Sequence, residues 1–229
     1  MSDAADLARG AAAQAALAEI EPEMTIGLGS GRAVWRLVEE IGARWPDGAP
    51  LRVAAASIVT EERCRSVGIE PIELDGRTEL ALAIDGADEV APGLALIKGG
   101  GGALLREKIV INAARRFIVI AEAAKRVAQL GERCRLPVEV VRFGWRDTAR
   151  RLDRLVPGGE LRVTGQGSPF ATDEGHLIID CPISHGTDPE RLAAALSATT
   201  GVVEHGLFIG LAAVAYLGTA DGAVETDVP

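Results

Sequence analysis

Three scarcities narrow what this chain can be. Aromatic residues are few, with three Trp, one Tyr and four Phe in 229 residues, so a core must be filled by the abundant Ala, Leu, Val and Ile. Cysteines number three, Cys64, Cys134 and Cys181, far apart and without a CxxC pair. An odd, scattered set excludes a disulfide framework and reads as small core hydrophobes in a reducing compartment. The three histidines, His176, His185 and His205, lack metal-ligand spacing, which argues against a zinc site and leaves them as surface or strand residues.

Positive charge is also in deficit. With 24 Lys and Arg against 33 Asp and Glu the net charge is −9, which excludes a general affinity for nucleic acid or anionic membrane. An anionic ligand would need a local basic patch. No apolar stretch approaches the roughly 18 residues of a membrane span, and the first ten residues lack the cationic start and apolar run of a signal peptide. These absences predict a cytoplasmic protein.

What is present is an alternating pattern in a chain 48% hydrophobic and 25% charged. Ala4 to Ile20 reads as an Ala-rich helix and Met24 to Ile26 as a strand. It leads into Gly27-Leu28-Gly29-Ser30-Gly31, and Val34, Leu37, Val38 and Ile41 follow with helical spacing. Further strands are expected at Leu51 to Ala56, Pro71 to Leu74, Leu80 to Ile84 and Phe117 to Ala121, with helices near Thr60 to Val67 and from Ala103. Such alternation predicts a parallel sheet. From Leu136 the order becomes βαββαβ: strands at Val138 to Val141, Leu161 to Thr164, His176 to Ile183 and Val202 to Phe208, with helices around Ala149 to Leu155 and at Pro189 to Ala198. That is the order of a small ferredoxin-like domain. The expected organisation is a Rossmann-like α/β domain over 1–135 and 207–229 and a ferredoxin-like α+β domain over 136–206.

The stretch from Lys98 to Ile109, with four consecutive glycines and then Glu107, is the richest in chemistry. Glycines at a helix start leave backbone N–H groups open to an anion or a developing oxyanion. Glu107 follows about one turn inside the helix, where a base would be rigidly held. The alternative is a solvated turn, with Glu107 pairing to surface cations. Asp85 and Asp88, three apart at the end of an apolar strand, are costly to bury without donors, and Lys98 is a ready counter-charge. The Gly27–Gly31 loop has the strand-loop-helix setting of a phosphate cradle but is neither a P-loop nor a full GxGxxG, since Arg32 follows it. A tight turn without a ligand explains it equally well.

Gly27-Leu28-Gly29-Ser30-Gly31, Asp85-Gly86-Ala87-Asp88-Glu89 and the KGGGGALLREK block Lys98–Lys108 together resemble, in order and spacing, the motifs of type A ribose-5-phosphate isomerases. The similarity continues through Ile120 to Lys125, Leu136 to Val140, Thr172 to Gly175 and Gly218 to Gly222, and so spans nearly the whole chain. The resemblance implies a homodimer or homotetramer that isomerises ribose 5-phosphate with no metal or organic cofactor. It implies Glu107 as the base, Asp85 as the group exchanging protons with the sugar oxygens, and Asp88 and Lys98 as groups that bind and polarise them. Gly99, Gly100 and Gly101 would supply amides, and Gly29, Ser30, Gly31 and Lys125 the phosphate site. Arg9 stands where the family has a phosphate-binding lysine. Arg32 and Ala33 depart from the hydroxyl residues usual after the loop, making Arg32 a candidate substitute contact. A sugar-phosphate-sensing regulator is the alternative from another class, but it would be expected to carry a helix-turn-helix ahead of the sheet, which begins by residue 24. An amino-sugar phosphate deaminase would need a histidine near the proposed site, and all three lie outside these blocks.

Overall fold

The computed structural model describes residues 2–229, and the chain divides into two compact units. The first, Met1–Ala87 with Arg106–Arg126 and Gly210–Pro229, is built on a six-stranded sheet. Its strands are β1 (Thr25–Leu28), β2 (Arg52–Ala55), β3 (Leu82–Asp85), β6 (Phe117–Glu122), β12 (Val214–Gly218) and β13 (Val224–Asp227), in the order β13-β12-β6-β3-β1-β2. All neighbours are parallel except β12 with the edge strand β13. The first five residues of β6 are buried, as expected for a strand covered on both faces.

Helices α1 (Ser2–Leu17) and α2 (Arg32–Arg44) share one apolar core with the sheet. The stripe Val34, Leu37, Val38 and Ile41 of α2 is buried as its spacing predicts. In α1 the buried positions Ala12, Ala13 and Ala16 are small, which allows close approach of the backbone. A Cβ at Gly218 would stand 1.8 Å from the Ala8 carbonyl oxygen, so only glycine fits where α1 crosses the end of β12. Helix α3 (Ile58–Ser66) completes this unit together with most of α4 (Leu104–Asn112).

The second unit is Asp88–Leu105 with Val127–Ile209. A four-stranded antiparallel sheet, β10-β7-β9-β8, is formed by β7 (Leu136–Val140), β8 (Glu160–Leu161), β9 (Leu177–Cys181) and β10 (Val202–His205). Helices α5 (Trp145–Leu152) and α6 (Pro189–Ser197) complete the expected βαββαβ order. Leu136, Val138, Val140, Leu177, Ile179 and Cys181 point into one core with Leu152, Leu192 and Leu196. A second, three-stranded sheet joins β4 (Glu89–Ala91), β5 (Ala95–Ile97) and β11 (Leu207–Phe208).

These boundaries differ from those expected. Residues 88–105, 127–135 and 207–209 fall in the second unit, because β4 and β5 pair with β11 and because Ala91, Ile97, Val127 and Leu130 join its core. Strands β4 and β5 have three residues each, too few to show a period, and are parted by Pro92-Gly93-Leu94. The strand expected at Pro71–Leu74 is only a single bridge, Val53 to Pro71, since proline has no N–H to extend the ladder. The one expected at Leu161–Thr164 leaves the sheet after Leu161 and continues as a turn closed by a Val163–Pro169 bridge. Leu155 lies beyond α5.

Glu139, opposite Ile178 across β7 and β9, is wholly buried. Its Oε1 accepts hydrogen bonds from the Thr172 hydroxyl at 2.9 Å and stands 2.9 Å from His176 Nδ1. Its Oε2 is enclosed without a hydrogen-bond partner. Burial raises the Glu139 pKa above 4.5, against the lowering effect of His176 and Thr172. A raised folded-state value means that the folded state holds the proton more tightly. That stabilisation is full below the unfolded value and is lost as the pH rises through the folded one. Glu139→Gln should therefore gain thermal stability relative to the parent at about pH 8 and little or none near pH 4; thermal unfolding across this range showing parallel curves would contradict the assignment.

Candidate functional site

In the first unit the parallel order places β2 on one side of β1 and β3 on the other, so the chain reverses its direction of travel across the sheet at β1. Open α/β sheets hold ligands in the crevice at the carboxyl ends of strands flanking such a point. Here those ends carry the Gly27–Gly31 loop and Asp85. Asp85 is 1% exposed, and its Oδ1 accepts the backbone N–H groups of Ser30 at 3.1 Å and Gly86 at 2.7 Å. A Cβ at Gly29 would lie 1.8 Å from the Asp85 carboxyl carbon, so the loop backbone rests directly on the carboxylate.

The end of β2 adds hydroxyl groups. Ser57 caps α3, accepting the Thr60 N–H at 3.1 Å, and its Oγ lies 3.0 Å from Ser30 Oγ and 2.9 Å from Thr60 Oγ1. Trp35 Nε1 donates to Thr60 Oγ1 at 3.2 Å. The N-termini of α2 and α3 thus flank a short hydroxyl chain, with Arg32 exposed at the first position of α2. Glu107 occupies the first turn of α4 and is 5% exposed.

At the end of β6, Glu122 receives Arg9 Nη1 at 2.8 Å, and Asp6 lies 3.5 Å from the same guanidinium. Arg9, expected as a phosphate contact, is therefore already ion-paired. Lys125 is half-buried in the following turn. Its neighbour Arg126 pairs with Asp227 at 2.7 and 2.9 Å and with Glu225, which fixes that turn to β13.

In the second unit the β4–β5 hairpin closes with the Asp88 N–H donating to the Ile97 carbonyl at 2.8 Å. Gly100 N–H then donates to Asp88 Oδ2 at 2.7 Å. Lys98 is 2% exposed, its N–H bonds the Gly206 carbonyl at 2.9 Å, and its ammonium lies 5.4 Å from the Phe208 ring centre. Gly99 and Gly102 adopt φ of +104° and +87°, and a Cβ at Gly102 would stand 2.5 Å from the Phe170 ring. Among the described residues no group of three His, Cys, Asp or Glu could hold a metal ion.

Gly29, Ser30 and Asp85 are thus assembled in one unit and Asp88 with Gly100 in the other, whereas Arg9 is committed to Glu122. The sequence shows Ser57 as a lone hydroxyl at a strand end, and the structure adds its neighbours Ser30 and Thr60; a serine before a polar helix is also a capping signal. Sequence reasoning passed over Glu122 as the partner of Arg9, which nothing in the local pattern sets apart.

A switch point flanked by a glycine loop and a buried aspartate, in a chain that also carries a second glycine loop and a buried glutamate, marks a doubly wound α/β protein, a class that binds ligands at such points. The model of the ribose 5-phosphate isomerase A (phosphoriboisomerase A) family matches residues 52–222. A ribose-5-phosphate isomerase A of Roseiflexus sp. (strain RS-1) is 49% identical over 226 residues, covering 98% of this chain and 97% of the relative. The solved ribose 5-phosphate isomerase from Plasmodium falciparum superposes with a TM-score of 0.92 at 32% identity, covering 97% of this chain and 98% of that one. A D-ribose-5-phosphate isomerase in complex with phospho-erythronic acid superposes with a TM-score of 0.90 at 31% identity, covering 96% and 97%. The chain belongs to the ribose 5-phosphate isomerase A family.

The contact between Gly29 and Asp85 is testable by stability alone. Gly29→Ala must push the loop off the carboxylate and should cost about 1–3 kcal/mol, the usual range for overpacking. Gly101→Ala, whose Cβ would meet no atom within 4 Å, should leave the urea midpoint unchanged. Equal midpoints for the two variants would show that the loop does not rest on Asp85.

Proposed function

We propose that this chain interconverts D-ribose 5-phosphate and D-ribulose 5-phosphate through an enediolate, with Glu107 as the base. The observation that carries the reading is the carboxylate of Glu107, 5% exposed, in the first turn of the helix entered from the Lys98–Gly102 loop in a member of this family. After the sugar ring opens, Glu107 removes the C2 proton of the aldose and, after partial exchange of that carboxyl proton with solvent, delivers a proton to C1. Asp85 moves the matching proton from the C2 hydroxyl to the C1 oxygen, so that the aldehyde becomes an alcohol and C2 a ketone. Asp88 and Lys98 bind and polarise the sugar oxygens, and the glycine-loop amides help stabilise the negative charge that develops there, an effect that is commonly the largest single contribution.

The phosphate supplies binding energy remote from the reacting carbons. It is assigned to the Ser30 loop with Lys125, and Arg32 stands exposed beside the same helix start. With Glu122 and Asp6 already on its guanidinium, Arg9 carries a smaller share than Lys125. In this reading the enzyme works in the cytoplasm, where its three free cysteines stay reduced, as a homodimer or homotetramer.

Glu107→Gln preserves size while removing the base, so kcat for ribose 5-phosphate should fall by at least ~10²-fold with KM little changed. A variant keeping more than about a tenth of the parent kcat would exclude Glu107 as the base. Activity should also survive exhaustive EDTA treatment, because Lys98 and backbone amides act as the electrophile. Loss on chelation with recovery on adding a divalent ion would sink the metal-free mechanism.

A further inference from the structure

We propose that Arg162, held by Asp180, is a positioning residue that sets the Gly99–Gly100 and Gly100–Gly101 peptides and, through them, the Asp88 carboxylate. The inference rests on the isomerase reading above, and all of its residues lie in the second unit. Arg162 follows β8, and its backbone N–H donates to the Ile178 carbonyl at 2.8 Å, which fixes the start of its side chain beside β9. Its Nε and Nη2 form a two-pronged pair with Asp180 at 2.8 and 2.5 Å. The remaining arm, Nη1, donates to the carbonyls of Gly99 at 2.9 Å and Gly100 at 3.1 Å. Both side chains are largely buried, 15% and 22% exposed, so the pair is sheltered from the screening that weakens surface pairs.

The consequence follows from peptide geometry. No peptide bond in the described chain is cis, and in a planar trans peptide the carbonyl and the N–H point in opposite directions. Drawing the Gly99 carbonyl toward Arg162 therefore turns the Gly100 N–H away from it, and that N–H is the one bonded to Asp88 Oδ2 at 2.7 Å. Drawing the Gly100 carbonyl the same way turns the Gly101 N–H to the side opposite Arg162. Glycines leave these peptides free to rotate; the Gly102 N–H reaches the Gly99 carbonyl at 3.0 Å from within the loop, and Arg162 adds the hold from outside on both the Gly99 and the Gly100 carbonyls. Phe170 reinforces the arrangement: its N–H bonds the Arg162 carbonyl at 2.9 Å, its ring lies 5.7 Å from the guanidinium, and the same ring fills the space beside Gly102. Only a planar fork can serve a carboxylate and two carbonyls together; a lysine ammonium cannot keep this geometry.

The test is steady-state kinetics with ribose 5-phosphate on the parent chain, Arg162→Ala, Arg162→Lys and Asp180→Asn. A parent without isomerase activity refutes the functional reading and this inference with it. With an active parent, Arg162→Ala should lose about ten- to a hundred-fold in kcat, the scale for a hydrogen bond to a charged group. KM should stay within about threefold, because the residues assigned to the phosphate are not those Arg162 holds. Arg162→Lys should recover part of the loss and Asp180→Asn should show a smaller one. Millimolar guanidinium should restore part of the kcat of Arg162→Ala, which a purely structural role would not produce. Should Arg162→Ala fail to fold, Arg162→Lys and Asp180→Asn decide by the same kcat-against-KM split. A kcat within about threefold of the parent in every folded variant, or a loss confined to KM, overturns the assignment and leaves the isomerase reading standing.

Discussion

Burying a carboxylate without hydrogen-bond donors costs several kcal/mol at least, and this chain meets that constraint repeatedly with backbone N–H groups. Asp85 is met by the amides of Ser30 and Gly86, and the half-buried Asp88 by that of Gly100. Glu89, which is fully buried, accepts the amides of Gly131, Arg133 and Cys134 at 2.6 to 2.8 Å. Amides carry no titratable proton and cost little side-chain entropy, so they hold an acid in place without adding a charge beside it. Glycine is what lets the backbone come close enough. At Gly29 and Gly100 a Cβ would meet the carboxylate itself, at 1.8 Å and 2.9 Å.

The two units use different architectures for the same purpose. In the first, parallel strands bring Asp85, the Ser30 loop and Ser57 to the carboxyl ends of adjacent strands, which topology alone places at the switch point. In the second, the antiparallel hairpin β4–β5 delivers Asp88, and the glycine loop that follows is steadied from the four-stranded sheet by Arg162, Asp180 and Phe170. Glu139 is the exception to backbone solvation. Its carboxyl is met by side chains alone and on one oxygen only, which is why burial dominates its titration.

Much of this was legible in the chain. Buried strands such as Phe117–Glu122 are continuous apolar runs, the α2 stripe repeats with helical spacing, and βαββαβ order is visible from Leu136 onward. The Gly27–Gly31 loop and Asp85 announced themselves by their place after strands, and the Gly99–Gly102 loop by four consecutive glycines ahead of a helix. What stayed hidden depends on tertiary neighbours. Three-residue strands carry no period, so β4 and β5 were not legible. A lone Arg162 and Asp180, eighteen residues apart, form no local pattern. The sequence marks Gly29 as part of a glycine loop at an expected phosphate site; that Asp85 fills the space of its absent side chain is a fact of packing.

The central claim is that a carboxylate carries a proton between neighbouring carbons. It is tested most directly by incubating the chain with ribose 5-phosphate in D2O over many turnovers and following C1 and C2 by NMR. An enediolate handled by Glu107 predicts that solvent deuterium accumulates at C1 of the ketose and C2 of the aldose, and that Glu107→Gln incorporates none on the same timescale. Complete retention of the substrate hydrogen throughout, or incorporation undiminished in the variant, would contradict it.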